Sequence, residues 1–235
     1  MDGLPARPRQ EARQRWRLVL RRSTEAPALT QREIAEAWEE AAVTSGLPVA
    51  WTDAATPRIR LAFGAPLPVG VGGEAELMDL YLTERWPTWR VRKVLAEKLP
   101  AGWTLVDLYD VWLAGPALPG RVVAADYRIE LAGRAEARVV EAACARLMAR
   151  ETLPRDRLKG GMAVRYDLRP LLADIRVVES GPPVVVRART RFHPELGTGR
   201  PDEVIAALAE AAGEPLSAAS VTRERLILAD DGLPG

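Results

Sequence analysis

The chain has 235 residues, 48% of them hydrophobic and 28% charged, an ordinary globular composition long enough to bury its own core. A single cysteine, Cys144, excludes an internal disulfide and an all-cysteine metal cluster, and a single histidine, His193, excludes a multi-histidine centre. The formal net charge is +1, so no bulk field draws the protein to nucleic acid or to a membrane.

Residues 1–14, rich in arginine, are expected to form a disordered basic tail. Trp16, Leu18 and Leu20 then alternate with Arg15, Arg17, Val19 and Arg21, the two-residue period of a half-buried strand. Thr30 and Glu33 stand at capping-box spacing. The helix they open puts Ile34, Ala37, Trp38 and Ala41 on one face and ends near Gly46. Alternation returns over residues 58–63, with Ile59, Leu61 and Phe63 on the apolar side. The run 66–73, with prolines and glycines, predicts a turn, and residues 77–82 the next strand. Pro87 and Thr88 open a helix with Val91, Val94, Leu95 and Leu99 inward; Pro100-Ala101-Gly102 stops it, and residues 103–112 read as a strand.

Residues 115–120, with two prolines and two glycines, predict a linker. The same order follows: a strand at 122–131, a helix at 134–150, a loop at 152–161, and extended chain at 164–178 bent at Pro170. A strand at 184–192, a helix opened by Pro201 with Asp202 and Glu203 in its first turn, and a strand at 220–228 complete it, with residues 229–235 expected to fray. This order predicts an α+β fold of two tandem ferredoxin-like (βαββαβ) halves with antiparallel sheets, residues 15–114 and 121–228. One larger α+β sheet shared by both halves is the alternative. No apolar run approaches the ~20 residues of a spanning helix, and a cytoplasmic location is expected.

Lys93, Lys98 and Lys159 are the only lysines among 33 basic residues; all others are arginine, whose planar fork suits carboxylate and phosphate. Arg15 and Arg17, Arg58 and Arg60, and Arg187, Arg189 and Arg191 each alternate along a predicted strand. On a sheet face left free by the helices, such residues would bind RNA phosphates while aromatic side chains stack on bases. Cross-strand pairing with Asp79, Asp107, Asp126, Glu130 or Glu224 is the competing expectation. A second basic candidate is the predicted loop carrying Arg155, Arg157 and Lys159. Gly197-Thr198-Gly199-Arg200-Pro201 joins a strand to a helix N-terminus, where free N–H groups favour anions, and His193 lies close in sequence. These residues are the candidate site for a phosphorylated or nucleotide substrate if the protein is an enzyme. Trp103, Trp112 and Tyr81 are the candidates for a homodimer surface. No residue is assigned a catalytic role, and no metal or cofactor is expected.

Pro66-Leu67-Pro68-Val69-Gly70-Val71, followed by Glu74-Ala75-Glu76-Leu77-Met78-Asp79-Leu80, resembles a stretch of the bacterial radical SAM-linked family of unknown function. Leu99-Pro100-Ala101-Gly102, Asp167-Leu168-Arg169-Pro170 and Arg200-Pro201 resemble its later landmarks. The resemblance implies a standalone protein that partners a radical SAM enzyme, since no three-cysteine cluster is present. Ala28-Leu29-Thr30-Gln31 stands where the family carries Ser-His-Leu-Asp, and Asp53-Ala54-Ala55-Thr56-Pro57 where it carries Gly-Phe-Asn-Pro. The landmarks retained are turn and core residues, so the resemblance implies a kept fold more than kept chemistry. The tandem plan is also similar in architecture to CRISPR RNA-processing proteins, without their glycine-rich loop and catalytic histidine. The expectation is therefore a non-catalytic accessory protein that binds RNA or a radical SAM-type enzyme, through arginine-lined sheet faces or a cleft between the halves.

Overall fold

The computed structural model describes residues 11–159 and 162–229. The expected basic tail lies outside the described residues up to residue 10, and Gln14 already opens the first strand. The expected frayed end lies outside them from residue 230. The fold is mixed α+β with mostly antiparallel pairing, and the chain divides into two compact units. Unit 1 holds residues up to Val69 and Ala75–Arg121; unit 2 holds Gly70–Glu74 and the chain from Val122 onward.

Unit 1 runs β1 (Gln14–Arg22), α1 (Gln31–Thr44), β2 (Leu61–Phe63), β3 (Gly72–Leu82, from Ala75), α2 (Thr88–Ala96) and β4 (Trp103–Asp110). Its strand order is β2-β3-β1-β4. Alternation sends Trp16, Leu18 and Leu20 of β1, and Met78, Leu80 and Leu82 of β3, into one core with Ile34 and Trp38 of α1 and Val91 and Leu95 of α2. Trp38 meets Trp103 edge to face, with ring centroids 5.5 Å apart. The capping box forms as its spacing predicts: Glu33 N–H donates to Thr30 Oγ1 at 3.3 Å and Thr30 N–H donates to Glu33 Oε2 at 2.7 Å.

Unit 2 runs β5 (Val122–Leu131), α3 (Ala137–Ala149), β6 (Pro154–Lys159), β7 (Met162–Asp167), β8 (Leu172–Glu179), β9 (Val185–His193), β10 (Gly197–Thr198), α4 (Pro201–Ala212) and β11 (Ala218–Leu228). β8 and β10 pair with one edge of β9; β9, β5 and β11 follow, all antiparallel. Residues 152–161, expected as a loop, instead supply β6, which forms a two-stranded sheet with β7 between α3 and β8. The alternation there is of charges, Arg155, Asp156 and Arg157, so no apolar period marked the strand. β3 likewise begins earlier than its hydrophobic pattern: Gly72 and Gly73 pair in parallel with Thr222 and Arg223 of β11. The expected linker holds a short 3-10 turn, Leu118–Arg121, whose Leu118 is fully buried.

The landmark Asp167-Leu168-Arg169-Pro170 closes α3. Asp167 Oδ1 accepts from the N–H groups of Leu153 at 2.7 Å and Arg169 at 2.9 Å. The Arg169 guanidinium donates to the carbonyls of Met148, Arg150 and Leu172 at 3.0–3.1 Å, two of them the last orphan acceptors of the helix. Among the described residues, no helix is long and apolar enough to cross a membrane.

Gly102 and Gly46 both adopt left-handed backbone, with φ of +77° and +73°, but a Cβ at Gly102 would meet Ala26 Cβ at 2.3 Å, whereas nothing lies within 4 Å at Gly46. Gly46→Ala is expected to cost about 1 kcal/mol in urea unfolding, and Gly102→Ala about 1–3 kcal/mol more, with Ala26→Gly recovering the excess. Burial pushes the Cys144 thiol up to about 11, so a thiol-specific reagent is expected to label the native protein only after denaturation.

Candidate functional site

The arginine faces proposed from alternation are largely occupied. In unit 1, Arg15 and Arg17 point away from the helices but are only 2% and 3% exposed, because Asp79 of β3 lies between them, itself at 0%. Arg15 Nε and Nη2 donate to Asp79 Oδ2 at 2.8 and 2.6 Å, while Arg17 Nε donates to Oδ1 at 2.8 Å and its Nη2 to Oδ2 at 3.0 Å. The rest of the Arg15 fork donates to the carbonyls of Gly115 and Pro116 at 3.0 and 2.9 Å. The chain after β4 therefore covers this part of the sheet, and an open RNA-binding face at Arg15 and Arg17 is not what forms. Arg58 pairs with Glu39 at 2.8 Å, and the Arg60 guanidinium stacks 4.0 Å from the centre of the Tyr81 ring. Tyr81 and Trp103, two candidates for a dimer surface, are buried; the third, Trp112, is exposed.

Unit 2 repeats the motif in a half-exposed form. Asp126 of β5 accepts from Arg189 of β9 at 2.7 and 3.0 Å and from Arg225 of β11 at 2.9 Å, its two register partners. Arg187 pairs with Glu224 at 2.7 Å, Arg128 with Glu179 at 2.6 Å, and Arg191 donates to the Pro170 carbonyl at 3.1 Å. Cross-strand ion pairing thus absorbs Arg187 and Arg189, whereas Arg191, exposed, meets only a carbonyl. Burial pushes the Asp126 carboxyl up, but hydrogen bonds and charge from Arg189 and Arg225 outweigh it and hold the group below its ordinary value.

The glycine loop near His193 is a hairpin turn. Gly197 and Thr198 pair with His193 and Phe192, and the Gly199 N–H donates to the Arg191 carbonyl at 3.0 Å. Gly199 is required by space: a Cβ there would meet the Leu171 carbonyl at 2.7 Å and Thr190 Cβ at 2.9 Å. His193 Nδ1 accepts from the N–H groups of Glu195 and Leu196 at 3.2 and 3.1 Å, and Arg200 pairs with Asp202 at 3.0 Å. These polar groups hold the turn together rather than converging on a ligand. Arg155 pairs with Glu210 of α4; Arg157 and Lys159 lie on the same strand, β6.

A different surface of unit 1 gathers cations whose charge is not spent. Residues 85–93 read Arg-Trp-Pro-Thr-Trp-Arg-Val-Arg-Lys, with four cations, two tryptophans and no acid. Among the described residues, neither Arg85, Arg90 nor Lys93 has an acidic partner; Arg90 instead stacks 3.6 Å from the centre of the Trp86 ring, and Arg92 pairs with Asp107. Trp89 is 68% exposed. Beside this stretch lies a cleft of about 440 Å³ lined by Arg13, Gln14, Arg85, Asp110 and Trp112. Gln14, buried, ties it together: its Oε1 accepts from the Trp86 N–H at 2.9 Å and its Nε2 donates to Asp110 Oδ2 at 2.9 Å. Trp112 is 76% exposed. The signal was present in the sequence as a run of cations interleaved with tryptophans, but its helical periodicity explains only the inward Val91 and Leu95; Trp86 packs partly against the same core, and Trp89 faces solvent.

Residues 15–204 match the family described as an uncharacterized protein conserved in bacteria (DUF2344), and the chain belongs to it. No curated protein matches the chain. Among solved structures, it is similar to a chain of a Cbf5-Nop10-Gar1 complex at 12% identity and a TM-score of 0.49, covering 90% of this chain and 48% of that one. It is also similar to a chain of an archaeal box H/ACA sRNP Nop10-Cbf5 complex at 14% identity and a TM-score of 0.46, covering 90% and 47%. The protein thus spans about half the length of those solved chains.

Removing Asp79 strands two buried guanidiniums, so Asp79→Ala is expected to lower stability by about 3–5 kcal/mol in urea unfolding, whereas replacing all three groups by apolar residues costs far less. The Asp126 carboxyl titrates lower in the folded than in the unfolded chain, so its contribution is complete above the unfolded value of about 4 and is lost as pH falls through the folded value. Urea midpoints measured from pH 5 down to pH 2 are expected to fall less steeply in Asp126→Asn than in the unaltered protein.

Proposed function

We propose that this family member is a non-catalytic accessory protein that binds single-stranded RNA through the Arg13, Arg85, Trp89, Arg90 and Trp112 surface of unit 1. The observation that carries the reading is the company these groups keep: guanidiniums without acidic partners among the described residues, next to two tryptophans left in solvent. Elsewhere Arg15, Arg17, Arg58, Arg187 and Arg189, which alternate on strands, are paired with carboxylates and have little charge to offer a phosphate. Single-stranded RNA needs both elements found here, cations along the backbone and flat rings on which bases stack. The near-zero net charge limits the field to this local patch, so affinity rests on short-range contact and not on long-range steering.

The strand orders β2-β3-β1-β4 in unit 1 and β8-β9-β5-β11 in unit 2 support reading each unit as a ferredoxin-like βαββαβ block, with the β6–β7 hairpin an insertion in the second. The exposed surface then belongs to the last helix and last strand of the first block. A radical SAM-type enzyme, implied by the sequence resemblance, is the second reading. The outer edge of β4, without a strand partner among the described residues and with Val106 and Tyr109 exposed, favours strand addition by a protein partner. Co-purification that survives nuclease treatment would favour the enzyme over RNA.

The direct test is fluorescence anisotropy of a labelled single-stranded RNA. With about three phosphates neutralised, raising salt from about 50 to 200 mM is expected to weaken binding about 20-fold. Trp89→Ala is expected to weaken it about tenfold, in the range of one lost stacking contact. Binding that is flat with salt, or unchanged in both Trp89→Ala and Arg85→Ala, overturns the reading.

A further inference from the structure

The cleft beside α2 has a directional acceptor as well as charge. Asp110 is exposed at the end of β4, yet its carboxylate is not free to swing: Oδ2 accepts from Gln14 Nε2 at 2.9 Å, and Gln14 is in turn fixed by the Trp86 N–H at 2.9 Å on its other end. Gln14 is more than nine-tenths buried and belongs to β1, so the carboxylate is mounted on the sheet and not on a loose side chain. Both ends of the carboxamide are engaged, which settles its orientation. Oδ1 and the second lone pair of Oδ2 remain open, side by side. Among the described residues Asp110 has no cationic partner, although Arg13 and Arg85 line the same cleft.

A pinned carboxylate next to an exposed indole and two guanidiniums specifies its ligand. The ring of Trp112 offers a stacking platform for a flat heterocycle. Arg13 and Arg85 offer forks for a phosphate. The carboxylate accepts only, so the edge of the heterocycle facing it must donate, and two adjacent donors are needed to use both oxygens. Among the four RNA bases only guanine presents two adjacent donors, N1–H and the N2 amino group, on its Watson–Crick edge; adenine and cytosine present one amino group beside a ring acceptor that a carboxylate repels, and uracil one N–H between carbonyls. We infer that this cleft is a guanosine-phosphate site, with Asp110 reading the base, Trp112 stacking on it and Arg13 and Arg85 holding its phosphate. The inference rests on the RNA-binding reading where the guanosine is part of a strand, and stands apart from it where the ligand is a free guanine nucleotide.

The experiment titrates the full-length protein, followed by calorimetry, with GMP, AMP, CMP and UMP, and with two RNA oligomers that differ only in one guanosine replaced by adenosine. GMP is expected to bind at least about tenfold more tightly than the other three, the loss expected when a charged acceptor is left without its donors. Asp110→Asn, at an exposed position, is expected to leave thermal stability within a degree or two and to abolish the preference, while Trp112→Ala weakens all four nucleotides alike. Preference for both GMP and the guanosine oligomer supports the site in RNA; preference for GMP with no oligomer binding supports a free-nucleotide site and removes the RNA reading. Oligomer binding with no guanosine preference overturns the guanosine site and leaves the RNA reading standing. Equal binding of all four mononucleotides, or a preference that survives in Asp110→Asn, also overturns it.

Discussion

A guanidinium cannot shed its proton to escape burial, so each arginine taken into this fold must be met by an acceptor. In unit 1 one carboxylate, Asp79, answers two buried arginines, and the carbonyls of Gly115 and Pro116 take what remains of the Arg15 fork. That bargain fixes how β1 lies against β3 and draws the chain after β4 across the sheet. Asp126 does the same work between Arg189 and Arg225 at a wetter site. With 33 basic and 32 acidic residues in the chain, balance is visible in composition, but only the geometry shows which pairs lie inside, at Asp79 and Asp126, and which, such as Arg32 with Glu36 or Arg200 with Asp202, stay on the surface.

That accounting gives the exposed Arg85 to Lys93 stretch its meaning. Cations are common throughout this protein; in this stretch Arg85, Arg90 and Lys93 form no ion pair among the described residues, and Trp89 faces solvent. The family landmarks, by contrast, are structural. Asp167 and Arg169 knot the end of α3, and Pro201 opens α4. Their retention keeps the fold and says nothing of chemistry.

Much of the local structure was legible. Thr30 and Glu33 announce α1, Pro201 and Gly213 bracket α4, and the alternation in 122–131 marks β5 to the residue. What period-based reading missed has a common cause: strands defined by their partners and not by apolar residues. Gly72 and Gly73 become strand only because β11 lies alongside, and β6 only because β7 folds back on it. The arginine faces were readable as faces, and even their acids could be named, but alternation carries no information about depth. Whether Arg15 sees water depends on residues 112–116, a hundred positions away in sequence. The cleft was illegible for a related reason, since Gln14, Trp86 and Asp110 come together only through strand pairing.

The choice of arginine over lysine at the tethers has an asymmetric outcome. A guanidinium holds its proton to higher pH than an ammonium does, so a tether built on arginine keeps its cation where one built on lysine would begin to lose it. At Asp126, which Arg189 and Arg225 grip from either side, it is therefore the carboxylate and not the cations that a change of pH reaches first, and the register of β5 with β9 and β11 is exposed to acid rather than to alkali.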